Sequence, residues 1–187
     1  PVETRIARDY RGLPVRVEDA GGIIARYCYD ERGLPLRATE ASDLEEERTW
    51  VWRYDNVGRL VAEQLANNLE TQFAYDAWGR LRTVQRSHGT RQRYGYGPGD
   101  RVEEFSVETL TAGGNWISLS LELVTYDSAG NIERVTTPVL GPSGESAGEL
   151  WVEPQFDRDG RLVQVRNDLG ATTNFTFDGL GRTAAIA

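Results

Sequence analysis

The residues best suited to chemistry are a recurring set of carboxylates. Asp30, Asp55, Asp76, Asp127, Asp157 and Asp178 each stand three positions before a glycine, at Gly33, Gly58, Gly79, Gly130, Gly160 and Gly181. Arg59, Arg80, Arg161 and Arg182 directly follow four of these glycines. Repeated carboxylates could serve hydrolysis as general acid and base, which requires neighbours that hold two of them at different pKa values. Turn chemistry explains the interval with fewer assumptions. An Asp bonds its carboxylate to backbone N–H groups just ahead of it, and Gly then takes a positive φ that other residues resist. Catalysis has no use for a glycine at that offset. The chain is therefore expected to be non-enzymatic, with the hydrolase reading the weaker one.

The remaining candidates are sparser. Asp157-Arg158-Asp159-Gly160 partly matches a calcium loop, but its glycine comes two positions too early for an EF-hand and no oxygen-rich run follows. His88 is the only histidine, placed at a hairpin tip with no nucleophile or orienting partner spaced around it. Cys28 is the only cysteine, so no internal disulfide can form; it is expected to behave as a small buried apolar residue. Asn174-Phe175-Thr176 fits a glycosylation sequon but lies in a strand pattern. No metal or cofactor site is expected. The net charge of −8 argues against a phosphate-binding surface and hence a nucleic-acid partner. All 21 basic residues are arginine, and guanidinium groups beside aromatic rings suggest stacking and bidentate pairing within the structure. The longest apolar runs are far too short to span a bilayer.

The elements that must position these residues follow from their period. Tyr75-Asp76-Ala77-Trp78-Gly79-Arg80-Leu81 is preceded, 21 residues earlier, by Tyr54-Asp55-Asn56-Val57-Gly58-Arg59-Leu60. Further versions begin at Tyr29, Tyr126, Phe156 and Phe177, with worn ones at Asp9 and at Tyr96-Gly97-Pro98-Gly99-Asp100-Arg101-Val102. Such a period marks a repeat architecture. An aromatic before the turn and an aliphatic after it suit strands, so each motif reads as strand, tight turn, strand. Trp50, Trp52 and Tyr54 alternate with Val51 and Arg53, the period of a half-buried strand. Opposite turns fall at Gly21-Gly22, Asn67-Asn68, His88-Gly89, Thr111 to Asn115 and Gly170. Residues 40–48 are expected to form a loop or one helical turn, and 139–149, with Pro142 and three glycines, a loop. The fold class is all-β: repeated antiparallel hairpins forming one long curled sheet, with units beginning near Asp9, Asp30, Asp55, Asp76, Gly97, Asp127, Asp157 and Asp178 across residues 1–187. The paired aromatics Tyr27/Tyr29, Trp52/Tyr54, Phe73/Tyr75, Tyr94/Tyr96 and Phe175/Phe177 are expected to line into a ladder.

These Tyr-Asp-x-x-Gly-Arg-Leu turns and their Tyr/Phe-x-Tyr/Phe approaches resemble the Rhs/YD-repeat family over nearly the whole chain. The resemblance implies a segment of a hollow β-shell. In bacterial members the shell holds a toxic C-terminal domain until delivery, as in type VI-secreted Rhs effectors and insecticidal toxin complexes; wall-associated proteins and animal teneurins share the repeat. Expected partners are neighbouring repeats or a second copy at the open sheet edges, an enclosed toxin domain and secretion-apparatus proteins. The expected location is the bacterial cytoplasm before delivery and the outside of the cell, or its surface, afterwards. A surface adhesion or carbohydrate-binding module is the alternative. The chain starts at Pro1 and is too short to close a shell, so a piece of a longer polypeptide is expected. It lacks an Asp-Pro-x-Gly-Leu stretch, where the family's toxin-releasing self-cleavage occurs.

Overall fold

Alternation of strand formers with short Asp-, Asn- and Gly-containing corners produces a β-meander throughout the computed structural model, which describes residues 3–42 and 45–187. The chain divides into two compact units, Pro1–Gly89 and Thr90–Ala187. In the first, β1 (Arg5–Arg8), β2 (Pro14–Glu18), β3 (Ile24–Tyr29), β4 (Pro35–Ser42), β5 (Glu45–Tyr54), β6 (Leu60–Gln64), β7 (Glu70–Tyr75) and β8 (Leu81–Arg86) pair antiparallel in sequence order. The second repeats the plan with β9 (Thr90–Tyr96), β10 (Val102–Leu110), β11 (Trp116–Tyr126), β12 (Ile132–Leu140), β13 (Ser146–Phe156), β14 (Leu162–Asn167), β15 (Thr172–Phe177) and β16 (Thr183–Ile186). The only helical element among the described residues is a 3-10 turn at Pro98–Asp100.

Two stretches expected to be loops are strand instead. β4 continues through Glu40 to Ser42 and β5 starts at Glu45, with Glu40 opposite Arg48. The exposed Glu47 and Arg48 cost little at a solvated strand, and pairing satisfies a backbone that a loop would leave to water. Residues 43–44 lie outside the described residues. Likewise β12 reaches Leu140 and β13 begins at Ser146, with Pro138 opposite Glu149. Only 141–145 turns.

Every motif strand meets its return strand with a one-residue register slip at the same place. Arg53 faces Ala62 while the next residue, Tyr54, faces Leu60, leaving Val61 as the extra residue. The slip recurs at Cys28/Tyr29, Ala74/Tyr75, Thr125/Tyr126, Gln155/Phe156 and Thr176/Phe177. Such bulges bend the strand and locally interrupt the ladder.

Burial is shallow. Among the described residues the buried apolar side chains are Ala38, Ala62 and Val84. Ala38 sits between Tyr27 and Trp50 on the flanking strands, and Val84 faces Phe73. The expected aromatic ladder is thus interrupted: motif strands are two apart, and each return strand puts another residue between their rings. Tyr27 and Tyr29 do contact each other within β3, at a centroid distance of 6.5 Å, and Tyr94 meets Phe105 at 5.3 Å. Cys28, expected to be buried, is exposed on the face opposite Tyr27, because its cross-strand neighbour is the exposed Arg37.

With so few buried positions, each must be sensitive to charge. Ala62, at 4% exposure, leaves no room for a solvated carboxylate. Ala62→Asp is expected to lower the melting temperature by about 10 °C, whereas Leu119→Asp, at a position 57% exposed, should shift it little; circular dichroism melts of both variants test this.

Candidate functional site

In each unit the chemistry-bearing residues gather along a row of turns, and four of these turns are built alike. The Asp55 amide donates to the Arg59 carbonyl at 2.9 Å and the Gly58 amide to the Asp55 carbonyl at 3.1 Å. This is a type I turn closed by a residue of positive φ, a common three-residue hairpin loop. Oδ1 of Asp55 accepts from the amides of Val57 and Arg59 at 3.0 and 2.9 Å, and Oδ2 accepts from Arg59 Nε at 2.7 Å. Asp76 does the same with Trp78 and Arg80, Asp157 with Asp159 and Arg161, and Asp178 with Leu180 and Arg182. Gly79, Gly130, Gly160 and Gly181 hold the closing position in these turns and that of Asp127, where Asn131 replaces the arginine and donates to Asp127 Oδ2 at 3.1 Å.

The two N-terminal turns reach the same result from a different sequence. Their arginine comes two residues after Asp, before Gly12 and Gly33. Arg11 Nε still reaches Asp9 Oδ2 at 3.0 Å, and Arg32 Nε reaches Asp30 Oδ2 at 2.8 Å. The order Asp-x-Arg-Gly is the sequence signal that distinguishes these arginines.

Burial alone would raise the carboxyls of Asp9, Asp30, Asp55 and Asp76. Hydrogen bonds from backbone amides and arginine outweigh it and hold each below the ordinary value of 3.8. At Asp157 and Asp178 the amides of Arg161 and Arg182 lead in lowering the value, and at Asp127 the Asn131 side chain does. These carboxylates are each occupied by their own turn.

The arginines also reach the next turn. Arg11 Nη1 donates to the Asp30 carbonyl at 2.7 Å, and Arg32 Nη1 to that of Asp55 at 3.1 Å. The Arg59 guanidinium lies 4.6 Å from the Tyr75 ring centroid, Arg101 5.1 Å from Tyr126 and Arg161 5.1 Å from Phe177. In the reverse direction the aromatic binds the turn before it. Tyr29, Tyr75 and Tyr126 hydroxyls donate to the carbonyls of Pro14, Leu60 and Val102 at 2.9, 2.8 and 2.8 Å. Each acceptor follows its turn directly, where the bulge interrupts the ladder. Glycine serves this clamp as well as the turn: a Cβ at Gly79 would stand 3.2 Å from Arg59 Nη1.

Several capping residues of the other edge carry the same spacing, although the sequence signal there rests mainly on glycine. Asp19 Oδ1 accepts from Gly21 and Ile23 at 2.7 and 2.9 Å, Asn167 Oδ1 from Ala171 at 2.8 Å and Thr111 Oγ1 from Asn115 at 3.1 Å. Two turns place glycine where Asp belongs, and a glutamate fills the space. A Cβ at Gly141 would land on the Glu145 carboxylate, whose Oε2 accepts from the Ser143 amide at 3.0 Å. A Cβ at Gly97 would land on Glu103, and Asp100 takes the closing position with φ 61°. No sequence pattern at this offset announces either substitution.

The other candidates are scattered. His88 lies in the turn after β8. The exposed Asn174, in β15, accepts from Gln164 Nε2 at 2.7 Å. Asp159 pairs with Arg161 at 3.0 Å, and among the described residues no three His, Cys, Asp or Glu gather to hold a metal ion. No helix among the described residues is long and apolar enough to cross a membrane.

Comparison with known proteins supplies a context for these turns. The sequence model of a family described as Teneurin YD-shell matches residues 16–142. Human Teneurin-4 is 28% identical over 141 residues, covering 70% of this chain and 5% of its own length. Human Teneurin-1 is 28% identical over 155 residues, covering 71% and 5%. The crystal structure of TcdB2-TccC3 without its hypervariable C-terminal region shares the fold, with a TM-score of 0.75, 19% identity, and coverage of 97% of this chain and 10% of that one. The Tc holotoxin pore of Photorhabdus luminescens gives a TM-score of 0.74 at 20% identity, with coverage of 97% and 10%. The chain thus spans about a twentieth of the length of the curated relatives it matches.

Two outcomes follow from the turn geometry. Gly22 and Gly79 share a φ of 86° and 88°, but of the two only Gly79 faces an arginine from the preceding motif turn. Gly22→Ala should cost about 1 kcal/mol, the backbone term alone, and Gly79→Ala measurably more by denaturant titration. With folded-state Asp values held low, the turns contribute their full stability above pH 3.8 and lose it as pH falls through the lower folded-state values. Asp76→Asn should therefore melt about 2–4 °C below the wild type at pH 7, with the gap closing as pH drops below 3.8.

Proposed function

The chain belongs to the Teneurin YD-shell family, and we propose that it is a non-enzymatic segment of a repeat shell that encloses a toxic effector domain and helps deliver it in bacterial competition or virulence. One observation carries the non-enzymatic part. The recurring carboxylates are each committed to their own turn amides, and most to an arginine of the same turn. A group engaged by that many donors is a poor base and has no proton to give. What remains is a wall, built from hairpins that clamp their neighbours through the turn row.

The toxin part of the reading draws support from the fold shared with the TcdB2-TccC3 structures. In this account export precedes action, neighbouring repeats complete the wall, and the effector domain and secretion machinery are the further partners. In each unit a sheet whose apolar side chains are mostly half-exposed suits such a role, because a second surface is needed on at least one face.

Limited proteolysis of the full-length gene product tests this. A domain outside the repeats should resist protease in the intact protein and be cleaved when the same domain is produced without the repeats. Equal sensitivity in both would contradict enclosure. Hydrolytic turnover by the purified chain that disappears on the paired substitutions Asp55→Asn and Asp76→Asn would contradict the non-enzymatic assignment.

A further inference from the structure

The row of turns is interrupted between Asp127 and Asp157, and a cavity stands at the interruption. At other turns an arginine reaches forward to the next ring: Arg59 to Tyr75, Arg101 to Tyr126 and Arg161 to Phe177. The Tyr75 and Tyr126 hydroxyls return a hydrogen bond to the Leu60 and Val102 carbonyls. Between Asp127 and Asp157 neither contact can form. Asn131 stands at the arginine position, and Phe156 has no hydroxyl to offer the Ile132 carbonyl.

Two independent observations mark the place. A Cβ at Gly58, Gly79, Gly130 or Gly181 would lie within 3.8 Å of a guanidinium nitrogen from the preceding turn, whereas one at Gly160 would meet nothing within 4 Å. Four residues before Gly160, the Phe156 side of the gap opens into a cavity of about 460 Å³, whose walls include Asp127, Asn131, Ile132, Glu133 and Glu153. That volume is in the range of sites that hold a ligand group.

The charge around the cavity suits a cation. Arg134 and Arg166 already engage the two carboxylate oxygens of Glu153. Asp127 and Glu133 are both exposed, whereas Asp30, Asp55, Asp76, Asp157 and Asp178 are half-buried beside the arginine of their own turn. Asp127 accepts from the amide and side chain of Asn131 at 2.8 and 3.1 Å, which are neutral donors. Its charge is therefore uncompensated within the turn, and the Phe156 ring lies across the same cavity.

We propose that this cavity binds the guanidinium of an arginine side chain carried by another polypeptide, with Phe156 as the stacking surface and Asp127 and Glu133 as the acceptors. The chain itself identifies the chemistry, since a guanidinium occupies the corresponding place against three other rings. Lysine fits less well, because an ammonium cannot lie flat on a ring while spanning two acceptors. The site lies between β11 and β13, inside the chain, and it holds or fails independently of whether the repeats enclose a cargo.

The probe is N-acetyl-arginine amide, titrated into nitrogen-labelled protein and followed through the backbone amide chemical shifts. Saturable shifts are expected at Asn131, Glu133 and Phe156, and the lysine counterpart should bind about fivefold more weakly. Asn131→Arg restores the residue that the Asp55, Asp76, Asp157 and Asp178 turns carry, and so fills the space from within. It should weaken the probe about tenfold by intramolecular competition and raise the melting temperature by about 2 °C. Absence of saturable shifts would overturn the proposal. So would equal binding of the lysine probe, which would show a diffuse acidic surface, or an Asn131→Arg variant that binds the probe as the wild type does or melts no higher.

Discussion

A carboxylate that closes its own turn is the interaction on which the rest of this structure depends. One Asp side chain satisfies two backbone amides and, in most copies, one guanidinium, so a five-residue corner becomes rigid without a core beneath it. The corner fixes the register of two strands. The register in turn places a bulge, an aromatic ring and an arginine at the same points in every repeat. Hydrophobic burial could not do this here, because the buried apolar side chains are only Ala38, Ala62 and Val84 among the described residues.

The guanidinium gives the repeat its second dimension. It is tied at Nε to the carboxylate of its own turn and extends Nη1 or its flat face to the following one. Lysine could provide the charge but not the two simultaneous geometries, which gives a physical reason for a chain with 21 basic residues, all arginine. Glycine belongs to the same arrangement. At Gly79 it adopts a positive φ and also leaves space for Arg59, so two constraints from different repeats meet at one position. Repeat proteins draw their stability from such nearest-neighbour terms.

Much of this was legible in the sequence. The all-β class, the turn row and the strand on each side of it follow from Tyr-Asp-x-x-Gly-Arg-Leu alone. Misread were residues whose local composition conflicts with their pairing. Glu40 and Arg48 look like loop by charge, yet they face each other across β4 and β5. The glycines and proline of 139–149 suggest flexibility, but Val139, Leu140 and Gly148 stand inside paired strands, and the turn is confined to 141–145 around Pro142. Residue type makes Cys28 a buried position, while its exposure is set by the polar face it shares with Arg37. The contacts between turns were out of reach, since they join residues about twenty apart through a ring and a guanidinium that either fold or solvent could have engaged. So was the glutamate that fills the place of a missing aspartate at Gly97 and Gly141.

Native-state hydrogen exchange of the turn amides tests the central claim most directly. The amides of Val57 and Arg59 are bound by Asp55, and those of Trp78 and Arg80 by Asp76. If the turns hold the sheet, these protons should exchange as slowly as those of the adjoining strand centres, opening only when the strands do. Exchange at the rate of an unprotected loop, while the strands stay protected, would show that the corners follow the sheet and do not hold it.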